Sequence, residues 1–211
     1  MYIPGPNGVD DQRTVVGLLR AGRVGHLIDH AADGFNGSML PFLVDDNLRS
    51  IRVHLARGNP QWRALDGQPV MFLVQVSSAY VSPNWYPSKV TDSRVVPTWN
   101  YEVVHVHGVA RIRDDPAFVA AVVRELTDRN ERERAERDGG QMWSVDDAPT
   151  EFIERQLRAI VGVEIDVARV EAKRKLSQNR TADDHDGVAR GLAESGRAGD
   201  REVSRSMFHD G

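Results

Sequence analysis

Three stretches in which polar and apolar residues alternate constrain the fold most. They are LRSIRVHLA (48–56), NYEVVHVHGVARI (100–112) and VGVEIDVARVEAK (161–173). Successive side chains of a strand point to opposite faces of a sheet, so this period of two predicts half-buried strands. RVGHLID, GSMLPFLV and the apolar run over 69–77 add further strands, and short turns join them. The sequence therefore predicts an antiparallel sheet, closed or nearly closed into a small barrel.

Three segments instead have the pattern of helices packed outside such a sheet. They are 10–21, 115–137 and 148–160. In the second of them Asp115 is a capping residue and Pro116 occupies the first helical position, where its missing N–H costs nothing. The end of the same segment, RNERERAERD, is almost entirely charged, which indicates a solvated helical surface.

The C-terminal part of the chain is polar and rich in glycine. A short helix is predicted over 185–195, followed by a flexible tail over 196–211. No internal repeat or change in composition divides the preceding residues. We therefore expect a single domain over 1–195.

Composition excludes several classes of protein. The chain has no cysteine, so it has neither disulfides nor thiolate metal sites. No secretory signal and no apolar run of about 20 residues is present, which predicts a cytoplasmic protein without a membrane span. The net charge is −4, which does not favour direct binding to nucleic acid.

Five aromatic side chains are crowded between Ala79 and Tyr101, in AYVSPNWYPSKVTDSRVVPTWNY. Tryptophan and tyrosine combine a ring that favours burial with a polar atom that needs a partner. Two interpretations fit equally well: a lid over the core, or the lining of a pocket for a flat ligand.

The stretch VHLARGNPQW (53–62) ends a strand and opens a turn. His54 lies on the strand face opposite to Leu55, so it is predicted to point away from the core. Arg57 and the backbone amides that precede Pro60 suit a phosphate. The alternative is a capped turn with a surface arginine.

Two further stretches carry candidate ligands. His105 and His107 share one strand face and would need a third ligand to bind a metal, so ordinary strand histidines are the favoured interpretation. The segment EAKRKLSQNR (171–180) is the most basic part of the chain, and it is either a surface cluster or an anion site. The carboxamides of Gln178 and Asn179 could hydrogen-bond the edge of a heteroaromatic ring.

Taken in order, MYIP, LPF, HLARGNPQW, AYVSPNWYPSK, VPTWNY, VHVHG and KLSQNR resemble the PaiB-type FMN-binding proteins, which are known as negative transcriptional regulators. The resemblance runs from Met1 to about Leu192. It implies an α+β fold, a mostly antiparallel split β-barrel with peripheral helices, similar to the pyridoxamine-phosphate-oxidase-like flavoproteins. It also implies a cytoplasmic homodimer with FMN at the subunit interface.

The resemblance carries a set of cofactor-binding positions onto this chain. They are His54, Arg57, Asn59, Trp85, Tyr86, Lys89, Thr98, Trp99, Asn100, Lys175, Gln178 and Arg180. Among them Arg57, Lys89 and Lys175 have the charge to hold a phosphate. No catalytic residue follows from the motifs.

One position departs from the pattern of the family. Many relatives have Thr-His-Leu-Pro where this chain has Ser38, Met39, Leu40 and Pro41. Met39 removes an imidazole from the strand expected beside the flavin.

Several hypotheses about function remain open at this stage. The first is an FMN-binding dimer, either a flavin-dependent oxidoreductase or a regulator that acts through a small molecule or protein partner. The second draws on the piperazate synthases, which resemble the same scaffold, bind haem b and form an N–N bond. In this hypothesis His54 would be the axial ligand of the haem iron. Apart from haem, the sequence predicts no bound metal. A non-enzymatic regulator is the third, and an empty, degenerate site is the fourth.

Overall fold

Eight strands and five helices form within residues 1–32 and 34–208, the part of the chain that our computed structural model describes. In chain order they are β1 (Gly8–Val9), α1 (Gln12–Ala21), β2 (Val24–Ala31), β3 (Gly34–Pro41), β4 (Leu43–Val44), β5 (Ser50–Ala56), β6 (Pro69–Val81), β7 (Thr98–Arg113), α2 (Pro116–Asp138), α3 (Thr150–Arg158), β8 (Ile160–Lys175), α4 (Ala182–Ala193) and α5 (Ala198–Met207). Short 3-10 turns at Pro60–Ala64, Pro83–Trp85 and Pro87–Val90 interrupt the loops.

The strands hydrogen-bond in the order β3-β2-β6-β7-β8-β5-β4, and β1 pairs with β8. The pairs of β2 with β3, β2 with β6, β4 with β5 and β5 with β8 are all antiparallel. Over the described residues this path is open, with β3 and β4 at its ends. The fold is thus α+β and mostly antiparallel, as the sequence predicts, but the sheet is not closed.

The predicted helices form where the sequence places them, for the expected reasons. The Asp115 carboxylate accepts a hydrogen bond from the Ala117 amide at 3.0 Å, and Pro116 begins α2. Helix α1 buries Val15, Val16, Leu18 and Leu19 and ends before Gly22. Two strands are longer than predicted, because β6 continues to Val81 and β7 begins at Thr98.

The chain divides into two compact units. The first unit comprises 1–22, 74–105 and 171–211, and the second comprises 23–73 and 106–170. Strands β6, β7 and β8 each contribute residues to both units. Because the units are assembled from interleaved segments, no linear boundary between them exists in the sequence.

Each unit has its own apolar core. The core of the first unit joins β6, the aromatic loop, α4 and α5 through Ala79, Val81, Tyr86, Leu176, Val188, Ala189, Leu192, Val203 and Met207. In the second unit Leu43, Val122 and Leu126 form a cluster against which Phe118 packs. The rings of Phe42 and Phe72 also meet edge-on at 5.0 Å.

Helix α5 occupies the region in which the sequence predicts a flexible tail. Its Val203 and Met207 are buried, and Ser204 Oγ donates a hydrogen bond to the Ala189 carbonyl at 2.8 Å. The tail is therefore ordered as a helix from residue 198 to 207. The last three residues of the predicted tail, 209–211, lie outside the described residues.

Over the described part of the chain, no helix combines the length and the apolar character needed to cross a membrane.

Candidate functional site

The twelve predicted cofactor residues divide between the two units. His54, Arg57 and Asn59 lie in the second unit, at the end of β5 and in the turn that follows it. The other nine lie in the first unit, on the aromatic loop, the start of β7, the end of β8 and the turn after it.

A basic and aromatic group in the first unit brings three of the predicted residues together. Lys175 Nζ donates hydrogen bonds to Thr98 Oγ1 at 2.6 Å and to the Trp99 carbonyl. Its nitrogen also lies 6.0 Å from the ring of Tyr101. All these partners are neutral, so the ammonium charge of Lys175 is not balanced by a carboxylate within the described residues.

Lys173 belongs to the same group. The sequence placed it in the basic stretch 171–180, a candidate anion site, but not among the cofactor-binding positions. Its ammonium lies 5.1 Å from the Tyr101 ring and 5.8 Å from the Tyr2 ring, and it donates to the Tyr2 carbonyl at 3.1 Å. Lys173 and Lys175 are two residues apart on β8, so strand periodicity places both on one face. That periodicity was the signal that would have found it.

The local charge is high enough to affect Lys175 itself. Burial lowers the pKa of Lys175 below its ordinary value, and the positive charges of Lys173 and Arg180 lower it further. An anion bound here would relieve that repulsion. This group, Thr98, Trp99, Tyr101, Lys173 and Lys175, is called the Lys175 cluster below.

Two large rings stand exposed beside the Lys175 cluster. Trp99 has 51% of its surface exposed and Tyr80 has 42%, and their ring centroids lie 6.1 Å apart. The two rings meet edge to face with an interplanar angle of 72°, so a flat heterocycle could stack on the exposed face of one of them. The exposed surfaces of these two rings are therefore available to a flat ligand.

Two further aromatic side chains of the loop, Trp85 and Tyr86, instead pack into the first unit. Trp85 lies against α4 so closely that a Cβ at Gly191 would come within 2.4 Å of its ring. Tyr86 is buried beneath the guanidinium of Arg180, which lies 4.6 Å from the ring centroid. The Tyr86 hydroxyl has no hydrogen-bond partner among the described residues. Trp85 and Tyr86 thus hold the loop to the core, which matches the lid interpretation. They also line a cavity of about 660 Å³ between the loop and α4, which matches the pocket interpretation.

Two predicted carboxamides stabilise the turn after β8. Gln178 accepts a hydrogen bond from the Leu176 amide and donates to the Arg174 carbonyl, both at 2.7 Å. Asn100 is fully buried and accepts from Ser177 Oγ at 3.1 Å. Ser177 needs this support because its φ of 68° lies in the left-handed region.

The three cations predicted to hold phosphate are in different states. Lys89 is exposed and donates to the Asn84 side chain within the loop. Arg57 forms a two-point contact with Asp114 and also donates to the Arg158 carbonyl at 2.8 Å. The Asp114 carboxylate raises the pKa of Arg57. Lys175 differs from the other two in combining two properties. Its described partners are all neutral, and its side chain is partly buried.

In the second unit His54 lies on the face of β5 away from the core, as predicted. Leu55 is 1% exposed, whereas the His54 imidazole is half-buried near α2 and α3. Burial lowers the pKa of His54 below 6.5, so the ring is neutral at neutral pH. Its Nδ1 atom has no hydrogen-bond partner among the described residues.

Asn59 belongs to a polar network that sequence reasoning missed. Its Nδ2 donates to Ser38 Oγ at 2.8 Å, and Ser38 donates to Gln61 Oε1 at 2.6 Å. Gln61 in turn donates to the Asp29 carboxylate at 2.6 Å. The network fixes the turn at Asn59, and it lies next to Met39, whose side chain is 64% exposed.

His105 and His107, for which the sequence favours ordinary strand histidines over metal ligands, lie two residues apart on β7. The strand passes from the first unit to the second between His105 and His107. Both histidines are half-buried. They alternate with Val104 and Val106, which are fully buried.

Comparison with solved structures shows what fold this chain shares. The flavocytochrome Anf3 of Azotobacter vinelandii superposes with a TM-score of 0.59 at 16% sequence identity, over 86% of this chain and 73% of that one. The FAD and heme binding protein of Mycobacterium smegmatis gives 0.56 at 15% identity, over 88% and 80%. The similarity confirms the predicted split-barrel fold.

Sequence comparison shows the family. The chain is 30% identical to the protease synthase and sporulation protein PAI 2 of Bacillus subtilis (strain 168), over 98% of this chain and 96% of that protein. Residues 1–169 match the family described as "Putative FMN-binding domain". The resemblance drawn from the sequence motifs is thereby confirmed: this chain belongs to the PaiB-type FMN-binding domain family.

Proposed function

We propose that this chain binds FMN with the flavin phosphate at the Lys175 cluster. The observation that carries the proposal is the state of Lys175, a partly buried ammonium whose hydrogen bonds go to the neutral groups of Thr98 and Trp99. A phosphate monoester would supply the missing negative charge through strong, charge-assisted hydrogen bonds. Family membership supports FMN as the source of that phosphate.

The surroundings of Lys175 fit a dianion better than a carboxylate. Lys173 shares the Tyr101 ring with Lys175, and Arg180 is close enough to lower the pKa of Lys175. Three positive charges in one place are costly unless an anion of more than one charge joins them. The net charge of the chain is −4, so this concentration is local.

The exposed rings of Trp99 and Tyr80 would contact the isoalloxazine. Trp99 belongs to the Lys175 cluster, since Lys175 donates to its carbonyl, and the Tyr80 ring lies against the Trp99 ring. In the same proposal Trp85, Tyr86, Asn100 and Gln178 act indirectly, by holding the loop and the turn in place. The family motif also names Asn59, Arg57, Lys89 and His54. In this proposal Arg57 and Lys89, which contact Asp114 and Asn84, do not hold the phosphate, and His54 lines a separate cavity.

We also propose that the functional species is a homodimer. Val90 is 92% exposed and Val96 is 64% exposed, and both lie in the loop that leads to Trp99. Apolar side chains gathered on one exposed loop are typical of surfaces that a partner covers. Light scattering after gel filtration should give twice the mass of the chain, and a monomer that still retains FMN would contradict this part of the proposal.

Bound FMN would supply electron-transfer chemistry, so a flavin-dependent oxidoreductase is the activity we propose. The chain's own contribution is to hold and orient the flavin and to cover it from water. Any regulatory role would act through the small-molecule or protein partner, because the net negative charge does not favour DNA.

The experiment is an absorption spectrum of the purified protein after gel filtration with excess FMN and, separately, with hemin. Flavin bands that elute with the protein are the expected result. Oxidation of NADH or NADPH by that fraction would then test the redox role. Complete loss of flavin on the column would contradict the proposal.

A second candidate is haem bound through His54. One observation favours it: the neutral imidazole has an unpartnered Nδ1 in the described structure. Against it, the described residues that line the pocket beside His54 include neither lysine nor arginine, which haem propionates would need. A sharp Soret band lost in His54→Ala, with no flavin retained, would reverse this ranking.

A further inference from the structure

We propose that the second unit contains a separate binding pocket, between β5, α2 and α3, for a small, uncharged and largely apolar molecule with one hydrogen-bond donor. The cavity measures about 470 Å³. Small-molecule sites typically have volumes of roughly 300–1,000 Å³. All of its lining residues lie in the second unit, whereas the Lys175 cluster lies in the first, so the inference is independent of the proposed flavin site.

The apolar face of α3 is the first argument for a ligand. Ile153 and Leu157 lie one turn apart and form this face, yet no residue of the helix is fully buried. The apolar stripe of a surface helix is normally buried against the core of the protein. Here the stripe faces the cavity, opposite Val123 and Leu126 of α2. Filling the cavity would complete a burial that the protein alone leaves incomplete.

The charges around the cavity favour an uncharged molecule. The described lining contains one carboxylate, Glu131, and neither lysine nor arginine. Glu131 Oε2 accepts hydrogen bonds from the Trp143 amide at 3.0 Å and from Arg134 at 2.9 Å. These contacts hold the pKa of Glu131 below its usual value. Its charge is thus already balanced, so neither an anion nor a cation gains a partner here.

His54 provides the polar group that would orient the ligand. Its imidazole is neutral and lines the cavity, while Nδ1 is buried without a hydrogen-bond partner in the described residues. Rotation about the Cβ–Cγ bond of histidine is soft, so the ring can turn this nitrogen towards the cavity. A neutral imidazole has one protonated nitrogen and one that accepts, so the tautomer with the proton on Nε2 lets Nδ1 accept a hydrogen bond from a hydroxyl or N–H group. Phenols and indoles have this combination of an apolar body and one donor.

The segment after α2 forms the rim of the cavity and provides a reporter. Gly139 and Gly140 have φ values of 75° and 90°, which turn the chain sharply, and Arg134 donates to the Gly139 carbonyl at 3.1 Å. The turn brings Trp143 to the cavity with 45% of its surface exposed. A ligand in the cavity should therefore change the fluorescence of Trp143.

The test is a titration of the full chain, with and without FMN, using the uncharged fluorophore phenylnaphthylamine. We expect saturable binding of about one probe per chain, together with energy transfer from Trp143 that the Trp143→Phe variant lacks. Both para-cresol and toluene should displace the probe. The competition should show that para-cresol binds about fivefold to tenfold more tightly than toluene, because only the phenol can donate a hydrogen bond to His54. The His54→Phe variant should remove that preference.

Two matched variants locate the probe. Leu157→Trp fills the cavity and should weaken probe binding about tenfold or more. Arg155→Trp adds the same side chain to the exposed side of α3 and should leave it unchanged. Ile153→Phe, a smaller filling substitution, replaces Leu157→Trp if circular dichroism shows that the latter does not fold. Equal binding by the filled and control variants, absence of binding, or stoichiometric hemin retention lost in His54→Phe would each overturn the proposal.

Discussion

At the scale of single residues, His54 makes the stability of the protein depend on pH. Its pKa in the folded state is lowered by burial from the ordinary value of 6.5. As pH falls through 6.5, the unfolded chain takes up a proton that the folded chain does not, so the free energy of unfolding decreases. The decrease ends once the pH passes the folded pKa.

We expect the His54→Gln variant to lack this contribution. Urea unfolding of both proteins at about pH 7.5 and about pH 5.5 measures it, and the wild type should lose more stability between these two conditions than the variant. The difference between the proteins cancels the titration of carboxylates that they share. An identical loss in both would contradict the burial of a neutral imidazole.

Sequence reasoning succeeded for the direction of single side chains but not for their partners. Strand periodicity correctly turned His54 away from the core that holds Leu55. It could not show that Arg57 forms an ion pair with Asp114, because strands β6 and β7 and the loop between them separate the two residues in the sequence. The same is true of Asn59, whose network depends on Ser38 of β3.

At the scale of elements, the contact between the aromatic loop and α4 depends on two glycines. A Cβ at Gly187 would lie 2.2 Å from the Trp85 carbonyl oxygen, and one at Gly191 would lie 2.4 Å from the Trp85 ring. Alanine favours a helix over glycine by about 1 kcal/mol, but overpacking costs roughly 1–3 kcal/mol. Gly187→Ala should therefore destabilise the protein even though alanine has the higher helix propensity. The clashing atom is the backbone oxygen of Trp85, which cannot move aside as a flexible side chain could.

Gly17 of α1 is the matched control, because a Cβ there would have no atom within 4 Å. Gly17→Ala should raise the free energy of unfolding by about 0.5–1 kcal/mol. Urea unfolding compares the variants. If Gly187→Ala were as stabilising as Gly17→Ala, the loop would not pack on α4 as described.

Helix α5 shows why the sequence did not predict an ordered C-terminus. Val203 and Met207 alone supply its buried apolar residues, too few to stand out in a polar, glycine-containing segment. The rest of its attachment is polar and long-range. Ser206 donates to the Glu102 carboxylate of β7 at 2.8 Å, and Arg174 of β8 donates to the Ser206 carbonyl at 3.0 Å.

The Glu102–Arg174 pair beneath α5 yields a second prediction at this scale. The two groups meet at 2.8 Å with exposures of only 3% and 12%. Arg174→Met leaves a buried carboxylate without its cation and should cost about 3–5 kcal/mol. Adding Glu102→Gln should restore part of the loss, because no charge then remains buried. The exposed pair of Arg94 and Asp92 is the control, and Arg94→Met should change little. A small effect of Arg174→Met would show that α5 does not depend on this pair.

At the scale of the whole molecule, the order of elements was predictable and the division into units was not. Strands and helices each have a short, regular period of buried side chains that can be recognised in a local stretch of sequence. The sequence alone therefore predicted the antiparallel sheet and the helices around it. The units depend on which parts of β6, β7 and β8 pack together, and that is decided by contacts between distant segments.

The positive charge of the candidate site was also not evident from the sequence. A chain with a net charge of −4 still gathers Lys173, Lys175 and Arg180 near one turn, because β8 carries both lysines on one face.

The most direct test of the central claim is to compare the affinities of FMN and riboflavin, which differ only by the phosphate. Quenching of flavin fluorescence should show that the wild type binds FMN about tenfold or more tightly than riboflavin, the effect of a charge-assisted contact. Lys175→Met should remove most of that preference, because only Lys173 and Arg180 remain to attract the phosphate, while Lys89→Met keeps it. An unchanged preference in Lys175→Met, or its loss in Lys89→Met, would place the phosphate elsewhere and contradict the account.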